Sequence, residues 1–174
     1  MRRTIMIFPE FENSEVIDRI RAKYDPLAGL VRPHITLVFP FEGEFGNDTV
    51  ARVLENRLAQ IKPFDIRLKG ITGHYGSFGN YLFLNIIQGM NEIVKIHDVL
   101  YANEFRHYHM GLLEEYVPHM TVGKLPSKEM LDAALATVEH IEDEFVTTVR
   151  KISVEMIGEN EESIIVIEKM LGDT

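Results

Sequence analysis

A five-residue pattern that occurs twice in the chain contains side chains able to do acid–base chemistry. It reads Pro-His-Ile-Thr-Leu at 33–37 and Pro-His-Met-Thr-Val at 118–122. The whole chain of 174 residues has only 7 His and 7 Pro, so the repeat is informative. Successive side chains of a strand point to opposite faces, so the His and the Thr of each copy share one face. Each copy is predicted to present an imidazole beside a hydroxyl, with an apolar face behind them.

These residue types predict phosphoryl transfer. An ordinary imidazole pKa near 6.5 leaves both protonation states accessible, so one His can accept a proton while the other donates one. Threonine hydroxyls can donate hydrogen bonds to the non-bridging oxygens of a phosphate. We expect His34 and His119 to form the acid–base pair and Thr36 and Thr121 to hold the phosphate. Which His is the acid and which is the base stays open.

The elements around the two copies repeat in the same order, which is strand, helix, His strand, helix, strand. The first His strand is predicted to end at Phe39, before Pro40, and the second to run from Tyr116 to Lys124. A hairpin near Gly158 follows the second half. We expect an α+β fold of two pseudo-symmetric lobes with antiparallel sheets flanked by helices and a groove between them. The lobes would form a single domain over 1–174.

Two further groups are candidates for substrate contacts. The segment 70–79 contains four Gly and follows a strand at 64–68, which predicts a loop or a bulged strand end. Within it, Tyr75 is a candidate for stacking a base, and core packing is the alternative. Arg32 shares a strand face with His34, so it would meet a phosphate or lie at the rim.

Composition excludes several classes of protein. The net charge of -9 argues against a long phosphate-tracking surface, so we expect no binding to duplex DNA. The absence of Cys removes thiolate nucleophiles and cysteine zinc sites. No stretch approaches the roughly 18 apolar residues of a membrane helix. We expect a cytoplasmic monomer without a membrane anchor.

A metal centre is the alternative interpretation of the remaining histidines. His107 and His109, together with His97 and His119, would supply imidazole ligands, but no carboxylate motif accompanies them. We therefore expect no metal and no cofactor.

The paired His-apolar-Thr-apolar motifs resemble those of the 2H phosphoesterase superfamily, which includes the 2′-5′ RNA ligases and the cyclic nucleotide phosphodiesterases. The resemblance covers essentially the whole chain, because the motifs, their spacing and the duplicated order all agree. It implies a metal-independent site that acts on 2′,3′-cyclic phosphates or 2′-5′ bonds of RNA or nucleotides. It also implies that residues 73–75 lie near the groove.

A basic residue often follows the second motif in the RNA ligase-like members of this superfamily. Lys124 stands there, but strand alternation points it away from His119 unless Gly123 bends the chain.

Two alternatives remain open at this point. The same site would act as a 2′-5′ RNA ligase if a ribose hydroxyl, rather than water, attacked a cyclic phosphate. A non-catalytic protein that binds RNA ends or nucleotides would need the Thr pair but not two imidazoles, so the His pair favours an enzyme.

Overall fold

The computed structural model describes residues 2–109 and 115–172. These residues form eight strands, four α-helices and a short 3-10 turn at Arg106–Tyr108. In chain order the main elements are β1 (Arg2–Ile7), α1 (Ser14–Tyr24), β2 (Ile35–Glu42), α2 (Asn47–Arg57), β3 (Phe64–Gly76), β4 (Gly79–Gln88), α3 (Met90–Tyr101), β5 (His119–Leu125), α4 (Lys128–Val138), β6 (Phe145–Val149), β7 (Lys151–Ile157) and β8 (Ser163–Met170).

The predicted α+β fold and the twofold repeat of its elements are confirmed. The order β1-α1-β2-α2-β3 recurs as β4-α3-β5-α4-β6, and the β7–β8 hairpin follows. The strands form one antiparallel sheet in the order β6-β3-β4-β5-β2-β1-β7-β8, which places the two His strands side by side at its centre. A single residue pair, Ile35 with Met120, joins them.

Each side of this junction is a four-stranded unit. We call β2-β1-β7-β8 the first half-sheet and β5-β4-β3-β6 the second half-sheet. Strand β3 belongs to the second half-sheet because it pairs with β4. Strand β7 fills the equivalent place beside β1. The terminal hairpin therefore completes the half-sheet from which β3 is missing.

The four helices contribute to one apolar core on one face of the sheet, as their buried residues show. Helix α1 packs on β5 and helix α3 packs on β2, so each crosses to the other half-sheet. Gly123 makes the first crossing possible, because an added Cβ there would lie 3.0 Å from Tyr24 Cβ. This crossed packing fixes the two His strands relative to each other.

Two predicted strand boundaries are corrected. Strand β2 continues through Pro40 to Glu42. Beyond Ile35 it pairs with β1 only, so this part of the strand tolerates a proline, which has no backbone N–H to donate. Strand β5 begins at His119 rather than at Tyr116.

The glycine-rich segment is mostly strand. Strand β3 stays paired with β4 as far as Gly76, and Gly70, with φ of +83°, lies at an irregularity in the pairing. None of the described helices is both long enough and apolar enough to cross a membrane.

Candidate active site

The two histidines of the repeated motif have the same hydrogen-bond geometry. His34 lies just before β2 and His119 is the first residue of β5. The Nδ1 atom of His34 is 2.8 Å from the backbone oxygen of Arg32, and that of His119 is 2.8 Å from the oxygen of Val117. A carbonyl oxygen only accepts, so Nδ1 carries the proton in both rings. The Nε2 atom of each neutral ring is therefore free to accept a proton.

The proline in each motif helps to explain this geometry. It stands between the histidine and the residue whose carbonyl accepts the bond. A proline has a fixed φ and pushes the preceding residue into an extended conformation. The proline therefore limits the backbone conformations of the segment in which the imidazole bonds the carbonyl two residues earlier.

Both His strands bulge at the residue that follows the threonine. Thr36 and Val38 pair with consecutive residues of β1, so Leu37 between them is an extra residue. Thr121 and Gly123 pair with consecutive residues of β4, so Val122 between them is an extra residue in the same way. A bulge shifts the alternation of side chains by one position. The pseudo-symmetry thus extends to a backbone irregularity that the sequence pattern does not reveal.

The bulge in β5 brings Lys124 to the face of the sheet that carries Thr121. Thr121 pairs with Phe83 and Lys124 pairs with Tyr81, and these two residues of β4 share one face. The Lys124 ammonium lies 5.6 Å from the centre of the Tyr81 ring. The condition under which Lys124 would reach the site, a bend in the chain after Thr121, is therefore met.

Two tyrosine hydroxyls bond the backbone of β2 where β5 no longer pairs with it. Tyr116 donates to the backbone oxygen of Thr36 at 2.6 Å, and Tyr101 accepts from the backbone N–H of Phe39 at 2.9 Å. Buried backbone groups need such partners. The tyrosines therefore hold the bulged part of β2 while leaving the strands apart.

A groove of about 610 Å³ lies on the face of the sheet opposite the helices. His34, Thr36, Thr121 and Lys124 line it. The ring of His119 lies beside it and stacks on Phe83, with 3.7 Å between ring centres. The structure thus places three of the four motif side chains in the lining of one groove, and His119 lies on the same face of β5 as Thr121.

Burial lowers the pKa of both imidazoles, because desolvation disfavours the charged form. The bonds to the carbonyls of Arg32 and Val117 oppose this effect. The positive charges of His74 and His34 lower the pKa of His119 further. A protonated His34 therefore disfavours protonation of His119, which favours a state with one charged and one neutral imidazole.

The structure does not bring the side chains of Tyr75 and Arg32 to this groove. Tyr75 is on the helix face of β3, where it donates a hydrogen bond to Asp132 of α4. The Arg32 guanidinium lies 4.7 Å from the centre of the Phe8 ring and 3.7 Å from Glu10. It lines a neighbouring cavity of about 380 Å³. Arg32 contacts His34 through its backbone oxygen.

Sequence reasoning missed the aromatic column beside His119. Phe83 stacks on His119, and His74 stacks on Phe83 with 5.2 Å between ring centres. The alternation of Tyr81, Phe83 and Asn85 along β4 is the signal that points to it. This column gives the His119 imidazole a rigid side wall.

His97, one of the histidines considered as a metal ligand, does not line the groove. His97 stacks on Tyr116 with 3.7 Å between ring centres, behind β2. Within residues 2–109 and 115–172, no three His, Asp or Glu side chains are grouped so that they could hold a metal ion.

Comparison with known proteins identifies the family. The 2′-5′ RNA ligase superfamily model matches residues 8–159, so the chain belongs to that superfamily, and the predicted resemblance to it is confirmed. A Geobacillus thermodenitrificans protein named "Putative phosphoesterase" is 30% identical over 136 residues, which cover 76% of this chain and 75% of that protein. Family and relatives place the chain among the phosphoesterases.

Solved structures show the same fold at low identity. The protein TT0787 of Thermus thermophilus superposes with a TM-score of 0.64 at 17% identity, covering 98% of each chain. LigT of E. coli, complexed with 3′-AMP, gives a TM-score of 0.61 at 17% identity and covers 99% of this chain and 98% of LigT. The curled antiparallel sheet with four helices is thus the fold of the LigT-like 2H proteins.

The shared hydrogen bond makes a spectroscopic prediction. In ¹⁵N-detected NMR titrations, His34 and His119 should be neutral at pH 7.5 with the proton on Nδ1. Each should titrate at a lower pH than in the urea-unfolded chain, because burial lowers the pKa of both. A proton on Nε2 of either neutral ring, or a titration midpoint above that of the unfolded chain, would contradict the geometry.

Proposed function

We propose that this protein is a metal-independent phosphoesterase that opens 2′,3′-cyclic phosphates, or cleaves 2′-5′ phosphodiester bonds, of RNA or nucleotides. The observation that carries the proposal is the matched pair of imidazoles, each with Nδ1 bonded to its own chain and Nε2 left available. A cyclic phosphodiester needs one proton removed from water and one delivered to the leaving oxygen. Two such imidazoles meet both needs.

Opening of a 2′,3′-cyclic phosphate would use both imidazoles in a single step. The Nε2 atom of one neutral His takes a proton from water, whose oxygen forms a bond to phosphorus. The bond from phosphorus to one ribose oxygen breaks, and that oxygen takes the Nε2 proton of the other, protonated His. The product is a nucleoside monophosphate, and proton exchange with solvent restores the starting state.

Thr36 and Thr121 would hold the non-bridging oxygens during this step. Both line the groove, and each shares a strand face with its histidine. Hydroxyl donors at that place stabilise the charge that develops on the phosphate and align it with the attacking water.

Lys124 would add a positive charge at the same place. It lines the groove with both threonines, and it lies in a chain whose net charge is -9. Two local cations, Lys124 and Arg2, line the groove, and they suit a small anionic group better than a long polyanion, which needs an extended basic surface. The proposal therefore favours a nucleotide or a short RNA end as substrate.

The relatives are consistent with a nucleotide-sized ligand. Solved structures of E. coli LigT are described as complexes with 3′-AMP, ATP and NADP+. The family name, 2′-5′ RNA ligase, supports a second candidate activity. A ribose 5′-hydroxyl in place of water would attack the cyclic phosphate, and the 3′-oxygen would leave while the 2′-oxygen stays bonded, which gives a 2′-5′ bond with the same proton transfers.

The two histidines are expected to be needed for turnover but not for folding. His34→Ala or His119→Ala should lower kcat for 2′,3′-cyclic nucleotides by about 10² to 10⁴, because each removes one proton transfer. His140→Ala, which alters an exposed histidine beyond α4, is the matched control and should keep full activity.

Thermal unfolding should be measured for the same variants. Binding of cyclic nucleotides without turnover by the wild-type protein would make it a binding protein instead. Collapse of thermal stability in either active-site variant would identify that His as a structural residue.

Lys124 is expected to act on the phosphate. Lys124→Met should lower kcat/KM by about 10- to 100-fold, since it removes a charge that faces the reacting phosphate. Lys128→Met is the control, because Lys128 is an exposed lysine of α4 that lies over Tyr75 on the other face. Steady-state kinetics of both variants decide the matter, and equal effects would show that only the overall charge counts.

A further inference from the structure

The two half-sheets present different side chains at equivalent positions beside the shared His and Thr pairs. In the second half-sheet, Tyr81 of β4 pairs with His74 of β3. At the matching place in the first half-sheet, Thr4 of β1 pairs with Glu155 of β7. The two half-sheets are thus alike in their His and Thr pairs and differ in the residue pairs beside them. One wall is aromatic with an imidazole, and the other has hydrogen-bonding oxygens.

Thr4 and Glu155 are buried polar groups that still line the groove. Their exposed fractions are 1% and 2%. The Glu155 Oε2 atom accepts a hydrogen bond from the Ser163 hydroxyl. The described residues give no hydrogen bond to the Thr4 hydroxyl, and the bond from Ser163 is the only one they give to the Glu155 carboxylate. A buried polar group without a partner, such as the Thr4 hydroxyl, is costly, so a ligand that pairs with it gains affinity.

The surroundings of this pair suit a flat ring. Met6, Val31 and Ile157 line the same groove with apolar side chains. Thr4 lies two residues along β1 from Met6, the partner of Thr36, which by strand spacing puts it about 8 Å from Thr36. That separation is in the range between the phosphate and the base of a nucleotide. A base would therefore reach Thr4 and Glu155 while its phosphate is held at the threonines.

We propose that Thr4 and Glu155 form a nucleobase subsite that selects guanine, a proposal that rests on the proposed function. The guanine edge presents two adjacent N–H donors beside a carbonyl oxygen. A carboxylate accepts from the donors and a threonine hydroxyl donates to the carbonyl. Uracil places carbonyl oxygens on both sides of its single N–H, and these repel a carboxylate. Guanine should be the best substrate base and uracil the worst.

The first test is the base preference of the wild-type protein. With the four 2′,3′-cyclic mononucleotides, kcat/KM should be about 10- to 100-fold higher for the guanosine than for the uridine compound. Equal values for the four nucleotides would overturn the subsite and leave the hydrolase intact.

Variants locate the preference in the pair. Glu155→Gln should lower the guanine-to-uracil ratio at least tenfold, because the amide replaces one acceptor oxygen by a donor. Glu161→Gln is the matched control, since Glu161 is an exposed carboxylate that lines the same groove, and it should leave the ratio unchanged. Equal effects of both variants would reduce the role of Glu155 to its charge and overturn the proposal.

A second variant guards against a failure to fold. Thr4→Val keeps the shape of the side chain and removes only a hydroxyl that lacks a partner, so it should stay folded. It should lower kcat/KM for the guanosine compound and leave the uridine compound unchanged. An unchanged guanine preference in this variant would remove Thr4 from the subsite.

Binding without turnover separates this proposal from the proposed function. Calorimetry should show that 3′-GMP binds at least tenfold more tightly than 3′-UMP, and that Glu155→Gln removes the difference. If the protein opened no cyclic phosphate but kept this difference, the hydrolase would fail and the subsite would stand. Equal binding of the two nucleotides would overturn the guanine subsite, whether or not the protein opens cyclic phosphates.

Discussion

The hydrogen bond from each imidazole to the carbonyl two residues earlier is the constraint on which the site depends. It makes Nδ1 the donor in His34 and His119, so it decides which nitrogen each ring offers to a substrate. The acceptor lies in the same short segment as the ring, so the geometry is local and can occur in both halves. A proline separates the two groups in each copy and limits the conformations of that segment.

The second constraint is the weak junction between the His strands. Only one residue pair joins β2 to β5, and each strand bulges after its threonine. The hydroxyls of Tyr101 and Tyr116 bond the backbone of β2 where a neighbouring strand is missing. Helices α1 and α3 pack across the junction from the opposite halves. The strands are thus held side by side at the centre of the sheet and far enough apart to leave a groove.

Sequence alone could predict the repeated motif, the order of the elements and the faces of the His and Thr side chains. These depend on local periodicity, which the sequence shows directly. The position of Lys124 could not be predicted, because the extra residue Val122 is defined by pairing with β4. The position of the Tyr75 side chain could not be predicted either. An extra residue in β3 near Gly70 shifts the alternation, so Tyr75 faces α4 and His74 faces the groove side. Arg32 precedes β2, so strand alternation does not govern where its side chain lies.

The pH dependence of kcat/KM in the presence of EDTA tests the acid–base pair most directly. The account predicts a bell-shaped profile that survives the chelator, because one imidazole must be neutral while the other is protonated. Burial lowers the pKa of both rings, so each limb shifts to lower pH and the optimum should lie below the ordinary imidazole pKa of about 6.5. A profile with a single limb, or activity lost to EDTA and restored by a divalent cation, would contradict the account.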